Sequence, residues 1–325
     1  MTASESHAAV PVSRLDRGRI LAWLQDYGVY AAIAALIIVN IAITPRFLSL
    51  ENLRTQLVQV APVVIVSLGM ALVIGTEGVD LSVGSVMALT TAVIPLYLGY
   101  GVVPAIVAGL LGGVVVGLVN GSLVAFVGVQ PIVATLALFV GGRGIALVVA
   151  GGRLKDIYDP DLLSLGSSSV LGVPLPVVIA AVLTVVVMAI VRRTTFGRRL
   201  VAIGGNRTAS ELSGLPVKRI LLLVYVASGL LAAAAGILAT ARLQASDPSS
   251  LGLLMELSAI TAVVVGGTPL TGGRVRVLGT VAGALLIQLV RATLIKHDLA
   301  DSLAQMVQAV IILAAVYAAR GRAGR

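Results

Sequence analysis

The chain has 325 residues, of which 58% are hydrophobic and only 11% are charged, and its formal net charge is +9. Soluble domains carry roughly 25% charged residues, so this composition argues against a water-soluble fold. The chain contains no cysteine, and its only histidines are His7 and His297. A disulfide framework, a thiolate nucleophile and a Cys/His metal cluster are therefore excluded.

Apolar runs divide the chain into ten predicted membrane-spanning helices. A helix needs roughly 20 mostly apolar residues to cross a hydrocarbon core about 30 Å thick. The runs are residues 27–45, 56–75, 82–99, 102–119, 132–150, 175–191, 220–241, 254–269, 276–292 and 303–319. For the short fourth run, continuation through Asn120 to Val127 is an alternative. We predict an all-α polytopic membrane protein, with a transmembrane domain at 27–319 between polar tails at 1–26 and 320–325.

Basic residues predict the orientation of the chain. Ten crossings place both termini on one side of the membrane, and Lys and Arg accumulate in cytoplasmic loops. With the termini inside, fifteen basic residues fall in inner segments and seven in outer segments, and Arg143 lies within a span. Both termini are therefore predicted to be cytoplasmic. Residues 1–19 are polar and lack the apolar core of a signal peptide.

Two segments, 75–84 and 266–273, interrupt the apolar pattern with glycine and polar residues. Paired interruptions of this kind indicate a pathway built from broken helices. The predicted topology places both breaks on the cytoplasmic side, and whether they are re-entrant stays open. Asp80 in the first break either lines a translocation route or caps the next helix by accepting its first N–H groups.

Four further polar residues near or within spans complete the candidate translocation pathway: Ser82, Asn120, Arg143 and Glu256. An unpaired charge within a span costs at least about 2.5–3.5 kcal/mol on insertion scales, so Arg143 needs a partner or water. Glu256 is a candidate counter-ion for it, and a structural ion pair and a solute contact both stay open. For Asn120, helix capping or polar packing is the alternative to solute contact.

The predicted inner loop at 192–219 is the most polar stretch of the transmembrane domain. Thr208-Ala-Ser-Glu211 matches a capping box, in which the hydroxyl and the carboxylate accept hydrogen bonds from free N–H groups at a helix start. Gly214 suits the left-handed residue that ends a helix. We predict a short helix of one to two turns here. A solvated connector whose arginines only enforce topology is the alternative.

Motifs for nucleotide hydrolysis and ion coupling are missing. A P-loop lysine must be followed by Ser or Thr, whereas the three lysines here precede Asp156, Arg219 and His297. Ion-driven pumps keep acids or histidines at mid-membrane, whereas the acids near spans here are predicted towards span ends. Energy for uphill transport is therefore predicted to enter through another subunit.

Four segments together resemble one transporter family. They are residues 78–85 (GVDLSVGS), 134–138 (ATLAL) with 142–144 (GRG), 196–206 (FGRRLVAIGGN) and 262–274 (AVVVGGTPLTGGR). They are similar to the permeases of ribose- and galactose-type ABC importers, in the branch that also includes branched-chain amino acid permeases. Residues 142–146 and 254–260 look most like galactofuranose-type permeases. Glu77 departs from the pattern, because family members often have glycine there.

The resemblance implies a permease subunit that imports a monosaccharide and has no catalytic residue, cofactor or metal of its own. ATP and Mg²⁺ would belong to a cytoplasmic ATPase, an external sugar-binding protein would deliver the solute, and a second permease copy or paralogue would complete a dimer in the bacterial cytoplasmic (inner) membrane. The inner loop then becomes the ATPase-docking element, with coupling residues Gly204, Gly205, Asn206, Thr208, Glu211 and Gly214. The alternatives are a branched-chain amino acid permease, an ion-coupled secondary carrier and a non-transporting scaffold.

Overall fold

The computed structural model describes residues 13–320, and helices account for most of that range. The α-helices are α1 (Ser13–Ile43), α2 (Leu50–Gly75), α3 (Val83–Tyr97), α4 (Val102–Ser122), α5 (Pro131–Val149), α6 (Pro160–Ser167), α7 (Leu175–Arg193), α8 (Thr195–Gly205), α9 (Arg207–Leu212), α10 (Val217–Leu243), α11 (Met255–Val265), α12 (Val277–Lys296) and α13 (Asp301–Arg320). A 3-10 turn (Leu98–Tyr100) follows α3, and a π turn (Leu123–Val127) follows α4.

Four two-residue strands form two antiparallel pairs outside the helices. They are β1 (Lys155–Asp156), β2 (Ser169–Val170), β3 (Val173–Pro174) and β4 (Ala245–Ser246). Strand β1 pairs with β4, and β2 pairs with β3. The first pair joins the loop between α5 and α7 to the segment that follows α10, across about 90 residues of sequence.

Each of the ten predicted spans coincides with a helix. Among the described residues, seven helices are long and apolar enough to cross a membrane: α2, α3, α4, α5, α7, α10 and α12, with α3 and α4 counted together with their following turns. The other three predicted spans correspond to shorter apolar helices at Gly28–Ile43, Met255–Val265 and Ser302–Ile311. The chain is therefore an all-α polytopic membrane protein, and the fourth span does continue to Val127.

Helix α1 begins at Ser13, ahead of the first predicted span at 27–45, and its apolar part is Gly28–Ile43. The segment from Ser13 to Asp26 alternates apolar and charged residues, a composition that allows a helix to extend beyond its apolar part. Residues 1–12 and 321–325 of the predicted tails lie outside the described part of the chain.

Helices α4 and α10 contact each other through glycine residues. Gly109, Gly113, Gly117 and Gly121 follow one another at four-residue steps, which places them on one face of α4. A Cβ atom on Gly113 would overlap the carbonyl oxygen of Gly229, and a Cβ atom on Gly229 would overlap that of Gly113. Small residues allow this backbone-to-backbone approach between membrane helices.

Helix α10 runs through the bundle and defines its two ends. Helix α9 immediately precedes α10 at one end, which we call the α9 end. At the other end, the α6 end, Gly166 of α6 packs against the backbone of Ala241 and Arg242. The loop between α7 and α10 contains two helices where one was predicted. The extra helix, α8, forms because Leu200 and Ile203 are fully buried against the bundle.

Candidate functional site

The predicted coupling segment is an exposed helix joined by a single residue to an amphipathic helix with one buried face. Asn206 ends α8, adopts an extended conformation (φ −162°, ψ 102°) and begins α9. Its side-chain oxygen accepts a hydrogen bond from the backbone N–H of Ala209 at 2.9 Å. Asn206 is thus the N-cap of α9.

The predicted capping box at Thr208 and Glu211 is wrong. With the cap at Asn206, the third helical residue is Ala209, which has no carboxylate to complete the box. Glu211 lies four residues after Arg207 and accepts a hydrogen bond from its guanidinium at 3.2 Å. Thr208 lies exposed within the first turn of α9.

The predicted end of this helix is confirmed. Gly214 has a φ of +76°, in the left-handed region that glycine adopts without a steric penalty. Its N–H donates to the carbonyl of Glu211, and the N–H of Leu215 donates to that of Ser210, both at 3.0 Å. This pattern is a Schellman motif, which gives α9 a fixed length of six residues.

A group of four glycines connects α8 to the two breaks, and we call it the glycine junction: Gly75, Gly204, Gly272 and Gly273. A Cβ atom on Gly204 would overlap the carbonyl oxygen of Gly75 and would lie 2.6 Å from the nitrogen of Gly273. The N–H of Gly273 donates to that same Gly75 oxygen at 3.1 Å. Gly205, which was predicted beside Gly204, has open space on its Cβ side, because an added Cβ atom would meet no atom of the described residues within 4 Å. The second break is therefore at the α9 end.

The first break begins at the α9 end, where Gly75 contacts Gly204 and Gly273, and it reaches the middle of the bundle at Asp80. Asp80 accepts a hydrogen bond from Ser228, which is the twelfth of the 27 residues of α10. At a rise of 1.5 Å per residue, Asp80 is roughly 17 Å along a helix of about 40 Å. The chain turns at Thr76 and Glu77 and runs back beside α2, and Ser228 also packs against Gly69.

Asp80 joins three elements through hydrogen bonds. Its Oδ1 accepts from the backbone N–H of Ser82 at 3.0 Å and from the Ser82 hydroxyl at 2.6 Å, and its Oδ2 accepts from the Ser228 hydroxyl at 2.8 Å. Asn120 of α4 donates to the Ser82 oxygen at 2.8 Å. The Asn120 Oδ1 and the Tyr225 hydroxyl, also buried, have no hydrogen-bond partner among the described residues. Asp80 thus organises the turn before α3, and it does not accept the first N–H groups of that helix as predicted for a cap.

Arg143 and Glu256 both approach Gly84 in the first turn of α3. The Arg143 guanidinium donates to the carbonyl oxygens of Pro248 at 3.0 Å and Ser249 at 3.3 Å, and more weakly to that of Gly84 at 3.5 Å. A Cβ atom on Gly84 would lie 2.5 Å from the Glu256 carboxylate. Between these two described side chains no ion pair forms within 4 Å, because Arg143 binds backbone carbonyls instead.

The structure brings the five candidate pathway residues together around the start of α3, between residues 82 and 84. Sequence reasoning missed two members of this group, Tyr225 and Ser228. The sequence could have identified them, because they are two hydroxyl-bearing residues three positions apart in an otherwise apolar run of α10. The glycine junction was also missed as a unit, because its members are far apart in sequence.

Comparison with known proteins gives consistent matches. A family model described as branched-chain amino acid transport system / permease component matches residues 52–316. The chain is 40% identical to the galactofuranose transporter permease YtfT of Escherichia coli over 256 residues, 78% of this chain and 75% of that protein. It is 39% identical to the ribose import permease RbsC of Haemophilus influenzae over 302 residues, 89% and 91% of the two chains. It is also 39% identical to the fructose import permease FruF of Bifidobacterium longum over 249 residues, 75% and 70%. None of the solved structures compared with it gives a significant match.

Proposed function

This chain belongs to the family of branched-chain amino acid transport system permease components, and from that premise we propose that it is the transmembrane subunit of an ATP-binding-cassette importer for a monosaccharide. Relatives named as galactofuranose, ribose and fructose import permeases support the sugar class. The observation that carries the proposal is helix α9, which is capped at both ends, exposed, and joined through one residue to α8 and the glycine junction.

The proposal assigns energy input to a separate ATPase that holds ATP and Mg²⁺, so the permease itself needs no cofactor. In this arrangement both termini and α9 face the cytoplasm of a bacterium, and ten helices cross its inner membrane. A binding protein delivers the sugar at the α6 end, and a second permease copy or paralogue completes the pore.

In the proposed mechanism the ATPase presses on α9, and the glycine junction passes the movement to the end of α2. Glycine contacts favour transmission because backbone atoms touch directly and no side chain can change rotamer to absorb the shift. The moving segment between α2 and α3 carries Asp80 and Ser82. The helices then switch between outward and inward access around the start of α3.

Transport in vesicles tests the function. The permease is reconstituted with an ATPase subunit and a sugar-binding protein from the same organism. We expect the vesicles to accumulate radiolabelled ribose, fructose or galactose only when ATP is supplied on the side of the membrane that carries the ATPase. Leucine serves as the comparison solute. Accumulation of any solute by the permease alone would indicate a secondary carrier, and uptake of leucine without sugar would indicate an amino acid permease.

Cross-linking tests the docking assignment. The chain has no cysteine, so a single cysteine in place of Leu212, which is 85% exposed on α9, reports on this surface alone. Leu171 provides the matched control, because it is 99% exposed in the turn between β2 and β3, before the start of α7. A bifunctional thiol–amine reagent should join Leu212→Cys, and not Leu171→Cys, to the ATPase. Cross-linking of Leu171→Cys and not of Leu212→Cys would contradict the docking of the ATPase at α9.

A further inference from the structure

A cavity of about 270 Å³ lies among α2, α11, α12 and α13. Its volume is just under the roughly 300–1,000 Å³ of pockets that hold drug-sized ligands, which suits a smaller solute. It is separate from the cluster around Asp80. That cluster has little room for a solute, since Asp80, Ser82 and Asn120 are each at most 2% exposed and bonded to one another.

One wall of the cavity carries an amide network between α2 and α12. Gln288 lines the cavity, and its Nε2 donates to the side-chain oxygens of Gln56 at 3.0 Å and Gln59 at 2.8 Å. Removing an amide from water is costly unless its hydrogen bonds are replaced. The two residues of α2 therefore fix the position of the Gln288 side chain.

The opposite wall carries a second amide group on α13. Gln308 donates to the hydroxyls of Ser258 at 3.3 Å and Thr261 at 3.4 Å on α11, and Gln305 also lines the cavity. Three glutamines line the cavity, Gln288, Gln305 and Gln308, and Gln56 and Gln59 support Gln288 without being part of the lining. Helices α12 and α13 thus bring three amide side chains to one cavity.

The depth of the cavity suits a translocation site. Gln288 is the twelfth of the 20 residues of α12, and Gln308 is the eighth of the 20 residues of α13. Both side chains are thus near the middle of their helices, and transporter substrate sites commonly lie near the bilayer midplane.

The chemistry of the lining matches a neutral solute with many hydroxyls. Gln288 and Gln308 each use both amide N–H groups within the protein, which leaves the side-chain oxygen of each to accept a hydrogen bond from a solute hydroxyl. Val63, Leu257 and Ile287 offer apolar surface for the C–H face of a sugar ring. Arg291 also lines the cavity and already interacts within the protein. None of the described lining residues is acidic, so the cavity lacks a counter-charge for the ammonium group of an amino acid.

We propose that this glutamine-lined cavity is the site through which the permease passes a monosaccharide, held by the amides of Gln288 and Gln308. The inference rests on the proposed function and deepens it, because it places solute contact on α12 and α13 and leaves Asp80, Arg143 and Glu256 to control the position of α3. The site binds weakly, since few amides face the solute.

The test uses the complete importer in vesicles, with ribose, fructose and galactose as probes. Gln288→Leu and Gln308→Leu each remove amide contacts while keeping a side chain of similar size. We expect uptake of the transported sugar to fall about tenfold, which corresponds to the loss of one or two hydrogen bonds. Gln130→Leu is the matched control, because Gln130 is exposed before α5 and away from the cavity, and its uptake should equal that of the parent.

A second measurement separates solute contact from a purely structural role. In the cysteine-free parent, Gln288→Cys and Gln308→Cys should react with 2-aminoethyl methanethiosulfonate, and the transported sugar should slow that reaction at least threefold when the loaded binding protein and ATP are present. A smaller amount of folded permease would lower uptake but would not change the ratio of the reaction rates measured without and with sugar.

The outcomes distinguish the two proposals. If the parent carries sugar and both leucine variants match Gln130→Leu, the cavity is not the solute site. The same conclusion follows if uptake falls but sugar gives no protection at either cysteine. If the parent carries none of the three sugars, the proposed function and the cavity proposal both fail.

Discussion

Adding one methyl group at Gly204 should break the link between α8 and the rest of the bundle. In Gly204→Ala the new Cβ would lie 2.6 Å from the nitrogen of Gly273, whereas ordinary contact begins near 3.4 Å, so Gly273 must move by about 0.8 Å. The carbonyl oxygen of Gly75 must move further, because the Cβ overlaps it. Both atoms belong to the 3.1 Å hydrogen bond between Gly273 and Gly75, which cannot persist unchanged.

The cost combines overpacking, about 1–3 kcal/mol, with the weakening of a buried hydrogen bond, about 0.5–1.5 kcal/mol. A total near 2–4 kcal/mol should lower the thermal midpoint of the detergent-solubilised protein by about 4–8 °C, at roughly 2 °C per kcal/mol for a chain of this size. Sugar uptake by the reconstituted importer should fall more than ATP hydrolysis does, because α9 remains available to the ATPase.

Gly205→Ala is the matched control for the thermal measurement. It adds the same methyl group one residue further along, where no atom of the described chain lies within 4 Å. Its midpoint should stay within about 1 °C of the parent, and alanine is slightly favoured over glycine in a helix. Equal midpoints for the two variants would refute the close contact at Gly204 and, with it, the proposed route from α9 to α2.

Four further changes test other parts of the structure. Gly113→Ala should cost about 2 kcal/mol or more by thermal unfolding because the methyl group meets the backbone of α10, whereas Gly112→Ala, with its nearest neighbour at 3.8 Å, should be neutral. Glu77→Gly should raise stability by up to about 1 kcal/mol, since Glu77 has a φ of +65°; a lower thermal midpoint would contradict this. Asp80→Ala leaves the Ser82 and Ser228 hydroxyls without their acceptor. It should therefore abolish uptake and lower the amount of folded protein. Normal expression with normal uptake would disprove the structural role of Asp80. Asn206→Ala removes the N-cap at a cost of about 1 kcal/mol and should weaken cross-linking from Leu212→Cys to the ATPase, an effect that unchanged cross-linking would exclude.

Long apolar runs predicted the spans well, because a membrane core imposes a minimum length and an apolar composition on any helix that crosses it. The structure of the polar segments was harder to predict from the sequence. Helix α8 was overlooked since Arg198 and Arg199 suggested a topology signal, although Gly197, Leu200 and Gly204 follow a helical spacing on its buried face. The N-cap was misplaced by two residues, because Asn206 and Thr208 both satisfy local capping preferences and only the end of α8 decides between them.

The location of the first break depended on tertiary contacts that a linear pattern does not contain. Glycine and polar residues at 75–84 indicate where a helix ends, but not whether the chain stays at the membrane surface or turns back inside. The partner of Asp80, Ser228, is 148 residues away, and it fixes the depth. In the same way, Arg143 finds the carbonyls of Pro248 and Ser249 and not the predicted counter-ion Glu256, because a folded loop offers closer acceptors.

The pairing of β1 with β4 gives the start of α3 a second connection, to the opposite membrane face. Strand β4 leads directly into residues 248–251, whose carbonyls hold Arg143, and Arg143 in turn contacts Gly84. A protein that pushes on the loop containing β1 therefore acts on the same turn that α9 reaches through Gly75. In the proposed importer, a sugar-loaded binding protein at the α6 end and an ATPase at α9 would therefore both act on this turn. Arg143→Gln would then leave basal ATP hydrolysis intact and remove its stimulation by the sugar-loaded binding protein.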